Sequence, residues 1–195
     1  MKLTYKSIFT GSLALALSCS AHLSFAGDIE GATIQSLKHY DGTINGQTLD
    51  ISGLADLVDA KLQAETDKED NRAPAQGITY FEVYAVGSSN IGWELNIPAI
   101  QQTTTYDHGG ALMRVVVLQV GLGNPNNASM GGMTTGRYLT ENLCGADLHW
   151  CSPGETITGF LYYYAFDGLQ NGFFTNSSNS VATPFGFWSD SISVR

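Results

Sequence analysis

The sequence predicts an all-β fold: an antiparallel β-sandwich or barrel-like domain over residues 77–195, with a short N-terminal helical appendage before it. Three observations carry this expectation. Short apolar or alternating runs recur through 77–195, clusters of Gly, Asn, Ser and Pro separate them, and helical period is nearly absent there. Short runs punctuated by turn residues are the pattern of an antiparallel sandwich or barrel, and about 120 residues can enclose one core.

Residues 1–26 read as a processing signal. Lys2 and Lys6 give a basic start, and "SIFTGSLALALS" is an apolar stretch shorter than the ~18 residues of a membrane helix. Ser24 and Ala26 then put small residues at a signal-peptidase site. Cleavage after Ala26 is expected, giving a secreted, alternatively periplasmic, chain of residues 27–195. A lipoprotein anchored at Cys19 is the competing reading, but Ala16, Leu17 and Ser18 depart from its usual Leu-led pattern.

Residues 27–76 form an N-terminal appendage with one helix, or a propeptide cut near Arg72. The helix is expected in "SGLADLVDAKLQAETDKE", with Ser52 as cap and Leu54, Leu57, Val58, Lys61 and Leu62 as one stripe. Asp41-Gly42 and Asn45-Gly46 are turn pairs that suit a small hairpin. "DKEDNRAPAQG" reads as a polar linker.

Strands are expected at "ITYFEVYAV" (78–86), "WELNI" (93–97), "ALMRVVVLQV" (111–120), "TITGFLYYYAF" (156–166) and "FWSDSISV" (187–194). "GLGNPNNASMGGMTTG" (121–136) and "NGFFTNSSNSVATP" (171–184) read as loops. "ITYFEVYAVGSSNIGWE", "FLYYYAFDG" and "FWSDSISVR" together resemble the YolA-like family of small exported bacterial proteins, across most of 77–195. That resemblance implies export and a compact domain, and it assigns no catalytic residue.

Charge excludes several partners. The chain carries 18 Asp and Glu against nine Lys and Arg, a net of −9. Without Lys2 and Lys6, seven cations remain against 18 carboxylates and the net is −11. No lysine follows Lys68. Nucleic-acid binding needs a basic footprint and anionic bilayers attract polybasic segments, so neither a nucleic acid nor a membrane anchor is expected. An acidic, soluble monomer outside the cytoplasm fits this balance.

Once Cys19 is removed with the signal, Cys144 and Cys151 are left as an even pair in an exported chain, which reads as a disulfide. His149 lies beside them, but two Cys and one His make an incomplete zinc set. Neither a metal nor another cofactor is expected. "VGLGNPN" has a Gly-x-Gly after a strand but no following helix and no lysine, so it is an inter-strand loop and not a phosphate site.

Two places hold candidate chemistry. In "YDHGGAL", Asp107 and His108 precede a strand; the catalytic reading is set against a turn held by Asp107 and the two glycines. In "ITYFEVYAV", strand alternation puts Tyr80, Glu82 and Tyr84 on one face and Phe81, Val83 and Ala85 on the other. Arg114 is the expected ion-pair partner of Glu82 in the structural reading. In the functional reading, Tyr80, Glu82, Tyr84 and Arg114 line a ligand face that Tyr162 and Tyr164 extend, near Trp93 and Glu94.

The expected role is recognition of an extracellular surface, glycan or protein ligand. A secreted hydrolase of glycans or peptides is the alternative, with Glu82 acting alongside Glu94 or His108; a membrane-active toxin is the third. Two close carboxylates with room for water would mark the enzyme, a flat aromatic strip the binder, and exposed apolar loops the toxin.

Overall fold

Polar turn chemistry begins the described chain. The computed structural model describes residues 41–65, 76–95, 97 and 101–195; the signal segment 1–26, Cys19 and linker residues 66–75 lie outside them. Strands β1 (Thr43–Ile44) and β2 (Gln47–Thr48) form the hairpin that the sequence suggests. Asn45 and Gly46 both have positive φ (53° and 75°), the conformation for which Asn-Gly is preferred in two-residue turns. Helix α1 (Leu54–Glu65) follows. Ser52 does not cap it. The Leu57 N–H donates to the Gly53 carbonyl, and Asp50 accepts the Ser52 N–H, so an Asx turn leads into a glycine at φ 79°.

The remaining strands are β3 (Tyr80–Ser88), β4 (Gly92–Leu95), β5 (Met113–Val120), β6 (Gly123–Pro125), β7 (Ala128–Met130), β8 (Met133–Thr135), β9 (Arg137–Cys144), β10 (His149–Trp150), β11 (Ile157–Ala165), β12 (Gly172–Ser180) and β13 (Phe187–Val194). They form two antiparallel sheets. One has the order β10-β9-β11-β5-β3-β4; the other runs β13-β12-β7-β8, with β6 also paired to β12. The fold is all-β and antiparallel, with a curled half-barrel sheet and one short helix.

The larger sheet is buried on both faces. Phe81, Val83, Val115, Val117, Tyr162 and Tyr164 meet Phe174 and Ile192 of the second sheet. On the outer face Leu118, Leu161, Tyr80, Tyr84 and Tyr163 meet Leu49, Leu54 and Val58 of the N-terminal segment. Burial on both sides is why β5 reads as a nearly continuous apolar run and not as an alternation. Each fully buried large side chain contributes about 1.5–3 kcal/mol, so the N-terminal segment shares in the core energy. Tyr84 Oη donates to the Asp50 carbonyl at 2.7 Å, and Trp93 Nε1 to the Gln47 carbonyl at 3.0 Å.

Two segments expected to be loops contain strands. β12 reads as polar because Asn176, Ser178 and Ser180 occupy its inward positions after Phe174. Each of these polar groups has an internal partner, as buried polar groups require. Asn176 donates to the Asn126 carbonyl, Ser178 to Gln119 Oε1 at 2.6 Å, and Ser180 Oγ accepts the Ile78 N–H at 3.0 Å. The period of two survives in hydroxyls and amides, where a hydrophobic pattern misses it. The 121–136 stretch similarly holds β6, β7 and β8.

Candidate functional site

At the end of the sandwich where β12 starts and β13 stops, residues 101–108 are tied down by backbone and side-chain groups of the sheet. Residues 102–104 lie along β13, with the Thr104 N–H donating to the Ser193 carbonyl and the Ser193 N–H to the Gln102 carbonyl. Glu94, on β4, gathers the next turn. Its carboxylate accepts the Thr105 N–H at 2.7 Å, the Tyr106 N–H at 3.2 Å and Gln101 Nε2 at 3.3 Å. His108 Nε2 stands 2.9 Å from Glu94 Oε2, and His108 Nδ1 is 3.3 Å from Ser88 Oγ. Arg195 Nε donates to the Thr104 carbonyl at 3.1 Å.

This scaffold shapes an open groove of about 600 Å³, lined among others by Thr105, Asp107, Asn171, Phe173 and Arg195. Phe173 is 58% exposed. Its neighbour Phe174 is fully buried in the inter-sheet core: adjacent strand residues face opposite ways, so Phe173 points to the other face of β12. Tyr106, also exposed, flanks Asp107 in the chain.

Two of the three expected catalytic residues, Glu94 and His108, are thus brought together, with Ser88 as an unforeseen third. The trio has the composition of a nucleophile–His–acid set but neither its geometry nor its access. The acid sits on Nε2 and the hydroxyl on Nδ1, the reverse of the Ser-His-Asp arrangement. Ser88 is fully buried and His108 is 2% exposed. Burial raises the Glu94 carboxyl, but the Thr105 amide, the His108 ring and the Tyr106 amide outweigh it and hold it below the ordinary carboxylate value. A low, fully bonded carboxylate suits a loop clamp and not an acid catalyst.

Glu82 is elsewhere. Val86 is the residue opposite Glu94, so Glu82 lies four positions along β3, roughly 13 Å of strand away. The expected Glu82–Arg114 pair does not form either: Arg114 pairs with Gly87 in register and its guanidinium meets the Asp167 carboxylate. Register separates Glu82 from Arg114 by five strand positions. Glu82 instead accepts the Tyr80 hydroxyl at 2.8 Å. The cavity beside it, with Gln101 and Asp190, measures about 10 Å³, no more than a water requires.

The six expected ligand residues are split between two faces. Tyr80 and Tyr84 belong to the helix-side core, and Tyr162 and Tyr164 to the inter-sheet core. Tyr162 Oη accepts from Gln119 Nε2, and Tyr164 Oη donates towards the Asn126 carbonyl. Arg114 lies over the Tyr138 ring at 5.3 Å. A register shift between Val83 and Ala85 adds one residue to β3, so Ala85 joins Tyr84 in the helix-side core and not Phe81 and Val83. Burial pushes the Tyr84, Tyr138 and Tyr164 phenols up to about 12. They stay protonated at neutral pH.

Residues 73–194 match a family model described as "Domain of unknown function (DUF4879)". The chain belongs to that family. No curated protein and no solved structure matches it. Both the groove and the Glu94 clamp fall within the DUF4879 domain, apart from Arg195, the residue just after the match.

A second polar cluster of the DUF4879 domain lies at the opposite end. Cys144 and Cys151 form a disulfide with a Cα–Cα distance of 5.0 Å. Inside its loop His149 Nδ1 meets Asp147 at 2.7 Å, and Nε2 meets Glu155 at 3.1 Å. Asp147 first and Glu155 second raise the His149 pKa above the ordinary value. Among the described residues, no group of three or more His, Cys, Asp or Glu is arranged to hold a metal ion.

Proposed function

We propose that this is an exported recognition protein, whose ligand is a saccharide or peptide segment with one apolar face. The ligand seats in the groove at the Phe173 end of the sandwich. One observation carries the reading: Phe173 offers an exposed aromatic plane in an open groove beside a carboxylate (Asp107), an amide (Asn171) and a guanidinium (Arg195). An aromatic face for stacking with polar groups for orientation is the chemistry of such sites. The signal-like start, the disulfide and the likeness to the YolA-like family support export. The hydrolase alternative has less support, since Glu94 and His108 are buried and Glu82 is distant from both.

The test is to probe the purified chain on glycan and peptide arrays, then incubate each hit with it and analyse the ligand by mass spectrometry. The reading expects binding of intact ligand. Cleaved products would replace it with the hydrolase.

A further inference from the structure

The connection from β12 to β13 projects apolar side chains into solvent at the end opposite the groove. Phe185 is 74% exposed, Phe187 66% and Val181 57%. The turn is well tied. The Val181 N–H donates to the Leu122 carbonyl, the Gly77 N–H to the Thr183 carbonyl at 2.9 Å, and the Ser180 N–H to the Gly186 carbonyl at 2.9 Å. The Ser180 hydroxyl reaches the Ala182 and Pro184 carbonyls within 2.8 Å. Three large apolar groups are therefore held outward by a hydrogen-bonded turn, and exposed apolar clusters of this kind mark interaction sites.

We propose that this tip docks on a zwitterionic phospholipid bilayer, with Phe185, Phe187 and Val181 entering the interfacial region. Charge selects this occupant. In a chain of net −9, no charged residue occurs between Asp167 and Asp190, so the tip itself is neutral. The carboxylates of Asp147 and Glu155, exposed at the same end beside the start of β11, disfavour anionic lipid. A fluid interface accommodates a turn whose apolar side chains are held outward. Hydroxyl and amide groups of Thr183, Ser189 and Asn179 flank the aromatic rings in sequence and pairing, the amphipathic mixture favoured at headgroup depth. Among the described residues no helix is long and apolar enough to cross a membrane; the proposed contact is made by the turn alone. β12 spans roughly 25 Å, so a docked molecule holds its Phe173 groove away from the bilayer.

The experiment is co-sedimentation of the purified chain with phosphatidylcholine vesicles, with and without added phosphatidylserine, beside a variant combining Phe185→Ser and Phe187→Ser. The wild type should bind phosphatidylcholine vesicles, and phosphatidylserine should weaken the binding. The double variant should lose about tenfold or more in affinity while melting like the wild type, because both side chains are exposed. Brominated lipid should quench tryptophan fluorescence in the wild type and leave the double variant unquenched. Phe173→Ser should leave vesicle binding unchanged, which separates this proposal from the groove. Failure of the wild type to bind, equal binding by the double variant, or a preference for anionic vesicles would each overturn it. So would a concentration-dependent dimer that the double variant abolishes without any vesicle binding, which would assign the tip to a second copy.

Discussion

His108 and Glu94 meet at 2.9 Å in the interior, and the same carboxylate holds the Thr105 and Tyr106 amides. The pair is the joint between the sheet and the loop that walls the groove. Replacing Glu94 with Gln removes the charge that these donors converge on. Hydrogen bonds to charged groups contribute about 1.5–3 kcal/mol, and a chain of this size loses about 2–4 °C of melting temperature per kcal/mol. Glu94→Gln should therefore melt several degrees lower. The folded Glu94 value is depressed, so its contribution is complete above the unfolded value of about 4.3 and is lost as pH falls through the lower folded value. Melting curves between pH 6 and 3 should show this loss in the wild type and a smaller one in Glu94→Gln.

Asp167, and not Glu82, is the carboxylate that the Arg114 guanidinium meets. Asp167→Asn leaves a fully buried guanidinium facing a neutral amide, at a cost of about 3 kcal/mol. Glu82→Gln keeps an oxygen to accept the Tyr80 hydroxyl and should cost under about 1 kcal/mol. Denaturant melts of the two variants check this order, and a larger effect at Glu82 would refute it.

The N-terminal segment should contribute to stability through Leu54. Its side chain is fully buried in the core shared with Tyr80 and Tyr84, and Leu→Ala at such a site costs about 2–5 kcal/mol. Chemical denaturation of Leu54→Ala measures it. A midpoint equal to wild type would show that the segment only rests on the sheet.

His149 should titrate above the ordinary value of about 6.5, because Asp147 and Glu155 flank its ring. A raised value means that the paired state is present below about 6.5 and is lost as pH rises through the folded value. NMR titration of the ring protons should give the elevated midpoint, and Asp147→Asn with Glu155→Gln should return it to normal.

Much of the fold was readable because it rests on local chemistry. Asn45-Gly46 announces its hairpin, "RVVVLQV" its central strand, and Cys144 with Cys151 their disulfide. β12 was hidden because Asn176, Ser178 and Ser180 face inward as hydrogen-bonded polar residues, and sequence period weighs hydrophobicity. The site was harder to read. Alternation put Tyr80 beside Glu82, whose side chains meet, but it missed the extra residue that sets Ala85 with Tyr84, and pairing Glu82 with Arg114 needed the β3–β5 register, which turn residues do not specify. Glu94 and His108 were singled out separately; their contact depends on a loop folding back across β4. The groove has one local trace, the adjacent Phe173 and Phe174, which alternation sends to opposite faces of β12.

Calorimetric titration of an array-selected saccharide or peptide into the wild type and Phe173→Ser tests the recognition groove most directly. Phe173 is exposed and makes little of the core, so the variant should melt like the wild type. The account predicts saturable binding to the wild type, weakened about tenfold or more by loss of the aromatic plane. Equal affinity in the two proteins would place the ligand elsewhere and contradict the groove.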